Sequence, residues 1–336
     1  MTTFAAIDIG SNAIRMLVRS SNRTGRLETL ENLRLPVRLG QDAFTIGKFS
    51  QQTMQMAIDA FLRFRQVADH FGVKQTRAVA TSAMREAGNS AELIQCIERE
   101  TGFFIEIISG EEEARLIHLA VKRAANIQHK TALLIDIGGG SVELTLSNGQ
   151  NILSTESFKI GTVRLLTRLK PSNGVEPALK NLLCEYAASA RSYLARELES
   201  RSIQVCLGTG GNIREMGKLR QRLFNKRRSD LVTLQDLERL TNHIGGMSVN
   251  ERIGRLRLKP DRADVILPAM LILQMIAREA KVGEVLVPGV GLKDGLMLEM
   301  VSSEPCPRLP RRAQVIAPVR QMEGTHRNAS PYEALQ

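Results

Sequence analysis

A chain of 336 residues, 43% hydrophobic and 24% charged, has the balance of a soluble globular protein and is long enough for two domains with sizeable cores. No apolar run reaches the roughly 18 residues of a membrane span, and Asp8 interrupts the first apolar run where a secretory signal would continue, so a cytoplasmic protein with no membrane partner is expected. The net charge of +11 favours a polyanionic partner, while Cys96, Cys184, Cys206 and Cys306 are too scattered for a zinc site or a disulfide framework.

From the N-terminus, apolar patterning predicts strands at about 3–8, 13–20 and 25–33. A helix follows Ser50, with Met54, Ile58, Phe61 and Phe71 near one face. Next come a strand at TRAVA (76–80), a helix entered through Asn89 or Ser90 and ended near Gly102, a strand at FFIEIIS (103–109), and a helix starting at Ser109-Gly110. The second half repeats this order. Strands at about 131–136, 141–147 and 151–158 precede helical segments through 161–199, a strand at IQVCLG (203–208), more helix, a strand at EVLVP (284–288) and a final helix from about Val290. Helical material at about 212–280 is additional, and Ser248-x-x-Glu251 has the form of a capping box. Beyond Ser303 the sequence PCPRLPRRAQVIAPVR carries no usable period, so 304–336 is expected to be a disordered tail.

Each half opens by running an apolar strand into Asp-Ile-Gly: AAIDIGSNAIRML at Asp8 and LLIDIGGGSVEL at Asp136. Two copies of βββαβα resemble the actin-like ATPase (ribonuclease H-like) architecture, an α/β fold of two duplicated domains with the ligand in the cleft between them. The expected division is 1–125, completed by the C-terminal helix at about 291–303, and 126–290 with its helical insertion. In that arrangement the two hairpins face each other and each half supplies one phosphate loop.

The residue types suit that role. Gly138, Gly139 and Gly140 let backbone N–H groups approach an anion without side-chain obstruction, and Ser141 adds a hydroxyl. Asp136, at the end of an apolar strand, needs a cation, donors or a metal, because an unpaired buried carboxylate costs several kcal/mol. Glu143 lies two residues beyond Ser141 in an extended segment and could join Asp136 around one Mg²⁺ or another divalent cation. In the first loop Gly10 makes the turn, while Ser11 and Asn12 supply short donors. ATSAMREA places Arg85 in the loop after a strand, where a guanidinium can take phosphate oxygens. ISGEEEARL sets three glutamates at a helix start; Glu111 and Glu112 suit the helix dipole, and one of the three could instead activate water. CLGTGGNI, with Gly208, Gly210 and Gly211, is a further backbone-donor loop or a tight strand-to-helix turn.

Together AAIDIGSNAIRML, ATSAMREAGN, IISGEEEARLI, LLIDIGGGSVEL, CLGTGGNIREM and VLVPGVGLKDG resemble the exopolyphosphatase / guanosine pentaphosphate phosphatase (Ppx/GppA) family, in that family's order, from about residue 3 to about 302. The resemblance implies that Glu113 is the water-activating general base, that Asp136 and Glu143 lie at the metal, that Gly138 to Ser141 form the main phosphate loop, and that Asn12 and Arg85 contact phosphate. It also implies hydrolysis of a terminal phosphoanhydride with Mg²⁺ and water, and a homodimer. This chain has Ser141-Val142 where many members have Ser-Thr, and Asn12-Ala13 where many have Asn-Ser. Each change removes one hydroxyl, which bears on affinity more than on reaction type. The resemblance is to a short form, expected to lack the C-terminal region resembling HD-type phosphohydrolases.

The leading expectation is an exopolyphosphatase acting on inorganic polyphosphate. Guanosine pentaphosphate 5′-phosphatase is the alternative within the family, and a non-catalytic regulator binding polyanion or RNA is the alternative outside it. In KLRQRLFNKRRS, the basic residues Lys218, Arg220, Arg222, Lys226, Arg227 and Arg228 form either a polyanion track or a solvated helix face.

Overall fold

The computed structural model describes residues 2–22, 26–168 and 188–302, with 179, 182 and 183 between the last two segments. The expected tail, the middle of the 161–199 segment, Cys184 and Cys306 lie outside the described residues.

The first half is built on a sheet of β1 (Thr2–Ile9), β2 (Ile14–Ser21), β3 (Leu27–Leu35), β4 (Gln75–Ala80) and β5 (Ile105–Ile107), in the order β3-β2-β1-β4-β5. β1 to β3 are antiparallel neighbours, and β1, β4 and β5 run parallel. β1 is buried from Phe4 onward because both of its faces are covered. Ala5, Ile7 and Ile9 point into a core with Phe61 and Phe64 of α2 (Gln51–His70), while Phe4 and Ala6 face the opposite way, into a second cluster.

The second sheet contains β6 (Ala132–Ile137), β7 (Val142–Ser147), β8 (Ile152–Phe158), β9 (Val205–Thr209), β10 (Leu231–Thr233) and β11 (Glu284–Leu286), ordered β10-β11-β9-β6-β7-β8. Read from β8, the order β8-β7-β6-β9-β11 repeats that of the first sheet, so the molecule is a duplicated actin-like α/β fold with β10 added at one edge. Leu133, Ile135 and Ile137 of β6 enter the second half's own core. Ala132 and Leu134 face the shared cluster, where they meet Leu116 and Ile117 of α5 (Gly110–Ala124) and Leu296 and Met297 of the last described helix. Two central strands thus turn alternate residues toward one common layer, and that parity also brings Asp8 and Asp136 to the layer's upper end.

The remaining helices are α1 (Leu39–Thr45), α3 (Ser82–Glu86), α4 (Ser90–Thr101), α6 (Thr162–Arg168), α7 (Ala188–Leu198), α8 (Gly211–Leu223), α9 (Leu234–Gly245), α10 (Val249–Leu256), α11 (Pro260–Ala263), α12 (Ile266–Glu279) and α13 (Leu292–Val301). Several starts are where the sequence puts them. Ser50 and Ser109 accept hydrogen bonds from the N–H groups of Thr53 and Glu112, and Ser248 and Glu251 form the full capping box. α13 packs on α5 and β1. α12, with the sequence ILPAMLILQMIARE, is buried on nearly every side, and no helix among the described residues is long and apolar enough to cross a membrane.

Four features differ from the expectations. α1 was not expected; its N-cap, Arg38, makes no capping bond, and the helix is held by the Gly40 N–H donating to the Ser11 carbonyl. Arg85 lies on the short helix α3 rather than in a loop. The FFIEIIS strand shrinks to Ile105–Ile107, leaving Phe104 exposed. β10 adds a strand inside the insertion by pairing with β11.

Candidate active site

The β6–β7 hairpin fixes the first two groups of the site. Asp136 and Glu143 are direct cross-strand partners, so the pleat puts both carboxylates on one face. Glu113 reaches them from the first turn of α5, and ligand-capable oxygens of the three residues lie within 4.8 Å of one another. The neighbouring glutamates are excluded by geometry. Glu111 is exposed, while Glu112 is bound by Arg115 through two contacts of 2.7 and 2.8 Å in a network that includes Arg77 and Glu299. Of the three candidates only Glu113 faces the cleft.

Burial raises the pKa of all three carboxyls. Glu113 is held well above the usual range, first by burial and then by the charge of Glu143, with Arg85 opposing at 3.5 Å. Glu143 is pushed up to about 7 by burial and the charge of Asp136, against donors on Ser141 and Ser157. Asp136 is raised by burial despite the Thr209 hydroxyl donating to it at 2.5 Å. Glu143 Oε1 accepts from Ser157 at 2.7 Å, but its buried Oε2 has no hydrogen-bond partner among the described residues. Three crowded carboxylates with one orphaned oxygen fit a hard divalent cation, whose charge would satisfy that oxygen and relieve the repulsion.

Beside the cluster, the glycine loop is strapped to the start of α6. The N–H groups of Thr162, Val163 and Gly161 donate to the carbonyls of Gly138, Gly139 and Gly140 respectively. No backbone acceptor among the described residues takes the N–H of Gly139 or Gly140. The two halves' loops touch directly. A Cβ at Gly140 would fall 2.2 Å from the Ser82 hydroxyl and 2.8 Å from that of Ser11, so no larger residue fits. Across the cleft Gly210, at φ +93°, turns β9 into α8.

These elements enclose a cleft of about 460 Å³. Gly10, Ser11, Asn12, Gly138, Gly139, Ser141, Gly210 and Gly211 line it with Glu113 and Asp136. Gly208 does not line it; it lies in β9 against Ile213 and Val285. Asn12 borders the cleft, but its side chain is engaged: it accepts from Arg38 at 3.0 Å and donates to the Asp261 carbonyl at 2.9 Å, bridging the halves. Arg85 donates to the Ile108 carbonyl at 2.6 Å and faces Glu113.

The six basic residues of KLRQRLFNKRRS do not form one track. Lys218 alone among them lines the cleft. Arg220 is buried against Asp236 at 2.6 Å with Lys226 beside the same carboxylate at 3.7 Å, Arg222 donates to the Leu256 carbonyl, Arg228 pairs with Asp230, and Arg227 is exposed. Helical turns and local acids disperse them. The positive wall instead gathers Arg15, Arg34, Arg214, Arg257, Arg262 and Lys293. Burial lowers Arg262 to about 10 and Lys293 to about 8, the latter against the opposing charge of Asp8. None of these was singled out from sequence; VGLKDG, DIGSNAIR and CLGTGGNIREM contained Lys293, Arg15 and Arg214, but Arg34, Arg257 and Arg262 join them only through the fold.

The family model for the Ppx/GppA phosphatase family matches residues 17–304. Among solved structures, an exopolyphosphatase from Cytophaga hutchinsonii is 25% identical with a TM-score of 0.82, the match covering 89% of this chain and 98% of that one. An exopolyphosphatase-like protein is also 25% identical, with a TM-score of 0.76 and coverage of 89% and 97%. The Ppx/GppA family member of Aquifex aeolicus is 24% identical, with a TM-score of 0.71 and the same coverage.

Proposed function

The chain belongs to the Ppx/GppA phosphatase family, and we propose that within it the protein is an exopolyphosphatase, hydrolysing the terminal phosphoanhydride of inorganic polyphosphate with Mg²⁺. The observation that carries this reading is the pairing of an acidic floor with a basic wall. Glu113 and Asp136 line the cleft with Glu143 beside them, and the basic lining residues Arg15, Arg34, Arg214, Lys218, Arg257, Lys259, Arg262 and Lys293 outnumber the other lining acids, Asp8, Glu215 and Asp294. A ligand with many negative charges and one reacting end matches that polarity.

In this reading the N–H groups of Gly139 and Gly140 and the Ser141 hydroxyl hold the terminal phosphoryl group, while Asp136 and Glu143 hold the cation. The bound cation supplies charge neutralisation at phosphoryl oxygens. Glu113 accepts a proton from the attacking water. Its raised pKa makes it a stronger base than a free carboxylate, and the nearby Arg85 favours its ionised form. Ser11 and Ser141 act as donors and not as nucleophiles, so no phosphoenzyme forms.

Phosphate release from short polyphosphate, long polyphosphate, guanosine pentaphosphate and ATP, assayed side by side with Mg²⁺, tests the proposal. Faster turnover of polyphosphate than of either nucleotide is expected. Preference for guanosine pentaphosphate would replace this reading with the 5′-phosphatase, and binding without hydrolysis of any substrate would favour the regulator.

A further inference from the structure

Arg164 touches the glycine loop and two elements of the opposite half at once. It lies on α6, is only 5% exposed, and donates from Nε to the Gly140 carbonyl at 2.8 Å. Its two terminal nitrogens reach across to both oxygens of Glu86, at 3.0 and 2.7 Å. The guanidinium also stacks over the ring of Phe44, with 3.9 Å from its central carbon to the ring centroid. Gly140 belongs to the second half, whereas Glu86 ends α3 and Phe44 lies on α1 of the first. α3 also carries Ser82, hydrogen-bonded to Ser11 at 3.0 Å, and Arg85, which faces Glu113.

We propose that Arg164 is a positioning residue that couples the approach of the two halves to the setting of the glycine loop and of Arg85. The inference rests on the hydrolase reading above and identifies a determinant of turnover that lies outside the reacting groups. All three contacts exist together only when the halves stand as they do here. If the first half moves away, the guanidinium loses both Glu86 bonds and the Phe44 face that fix its plane, and only the Gly140 carbonyl still holds it. Separation of the halves therefore frees the side chain that clamps the loop, and the two movements are linked. Only a planar fork can fill this position: lysine keeps the charge but cannot donate to Gly140, bind Glu86 through two parallel bonds and stack flat on Phe44. Misplacing a reacting group by about 1 Å can cost a hundredfold in rate, which makes a shifted Gly140 consequential without any loss of fold.

The test compares wild type, Arg164→Lys, Glu86→Gln and the double variant for Mg²⁺-dependent phosphate release from tripolyphosphate, with kcat and KM separated and thermal melting measured alongside. Glu86 is only half-buried and touches none of the carboxylates, so Glu86→Gln decides the matter if Arg164→Lys fails to fold. Each single variant is expected to lower kcat about tenfold to a hundredfold, at temperatures where both remain folded, and the double variant to be no worse than Arg164→Lys. A charge exchange, Glu86→Arg with Arg164→Glu, should recover melting temperature but not kcat, because a glutamate cannot donate to Gly140. Unchanged kcat in Glu86→Gln, additive losses in the double variant, or recovery of kcat by the exchange would overturn the proposal. An inactive wild type would instead count against the hydrolase reading.

Discussion

The two halves carry the same hairpin with one decisive difference. In both, Asp-Ile-Gly ends a central strand and the aspartate's cross-strand partner lies seven residues later: Arg15 opposite Asp8, and Glu143 opposite Asp136. Asp8 forms an ion pair with Arg15 at 2.8 Å, so the first copy is locally neutralised. The second copy places carboxylate against carboxylate, adds Glu113, and leaves an oxygen unsatisfied. One cross-strand position therefore separates a structural pair from a centre suited to a cation, although the backbone is common to both.

The largest expected effect tests whether the second copy carries the chemistry. Glu113→Gln preserves size but removes the proton acceptor, and turnover should fall by about 10²–10⁴-fold with substrate binding retained. Near-normal turnover would move the base away from Glu113.

The next variants exchange the properties of the two copies. Asp136→Asn should sharply raise the Mg²⁺ requirement, since an amide is a poorer ligand for a hard cation, while relieving repulsion in the metal-free protein. Arg15→Gln should do the reverse. It leaves the buried Asp8 without its ion-pair partner and should lower stability by roughly 1–3 kcal/mol without abolishing cation binding. Melting curves and Mg²⁺ titrations of the two variants separate these outcomes.

A smaller effect should appear in the pH dependence of stability without metal. Glu143 is pushed up to about 7 in the folded chain, above the ordinary glutamate value of 4.5, so the folded state binds its proton more tightly than the unfolded state does. Its ionisation therefore imposes no penalty below about 4.5, an increasing one as pH rises toward 7, and the full penalty above. Glu143→Gln should flatten this fall, and a divalent cation should offset it in wild type. A melting temperature that is identical in wild type and Glu143→Gln across this range would contradict the shift.

The smallest effect concerns the basic segment. Lys218→Gln should weaken binding of long polyphosphate at low salt, with the loss shrinking as screening shortens to about 8 Å at physiological ionic strength. Arg227→Gln, outside the cleft lining, should change nothing, and equal effects of the two would return the segment to a single track.

Much of this was legible before the fold. The apolar strands running into Asp8 and Asp136 announce the duplication because alternation and turn glycines are local, and Ser50, Ser109 and Ser248 mark helix starts because capping is local as well. α1 and β10 were not legible: α1 depends on a bond from Gly40 to the Ser11 carbonyl, and β10 on pairing with a strand about 50 residues later. The acidic floor could be anticipated, since two of its three carboxylates share one hairpin. The positive wall could not, because Arg34, Arg214, Arg257 and Arg262 meet only when α8, α10 and α11 fold toward β3. The basic residues of KLRQRLFNKRRS part for a related reason: Asp236, which engages Arg220 and Lys226, lies beyond the segment.

The most direct test of the account is a Mg²⁺ titration of metal-free wild type, Arg15→Gln and Glu143→Arg by calorimetry. Glu143→Arg copies the first half's pairing onto the second. Wild type and Arg15→Gln should bind the ion, and Glu143→Arg should not, while remaining folded through a new ion pair with Asp136. Wild-type affinity in Glu143→Arg, or no binding by any of the three, would contradict the claim that the second hairpin's carboxylates form the cation site.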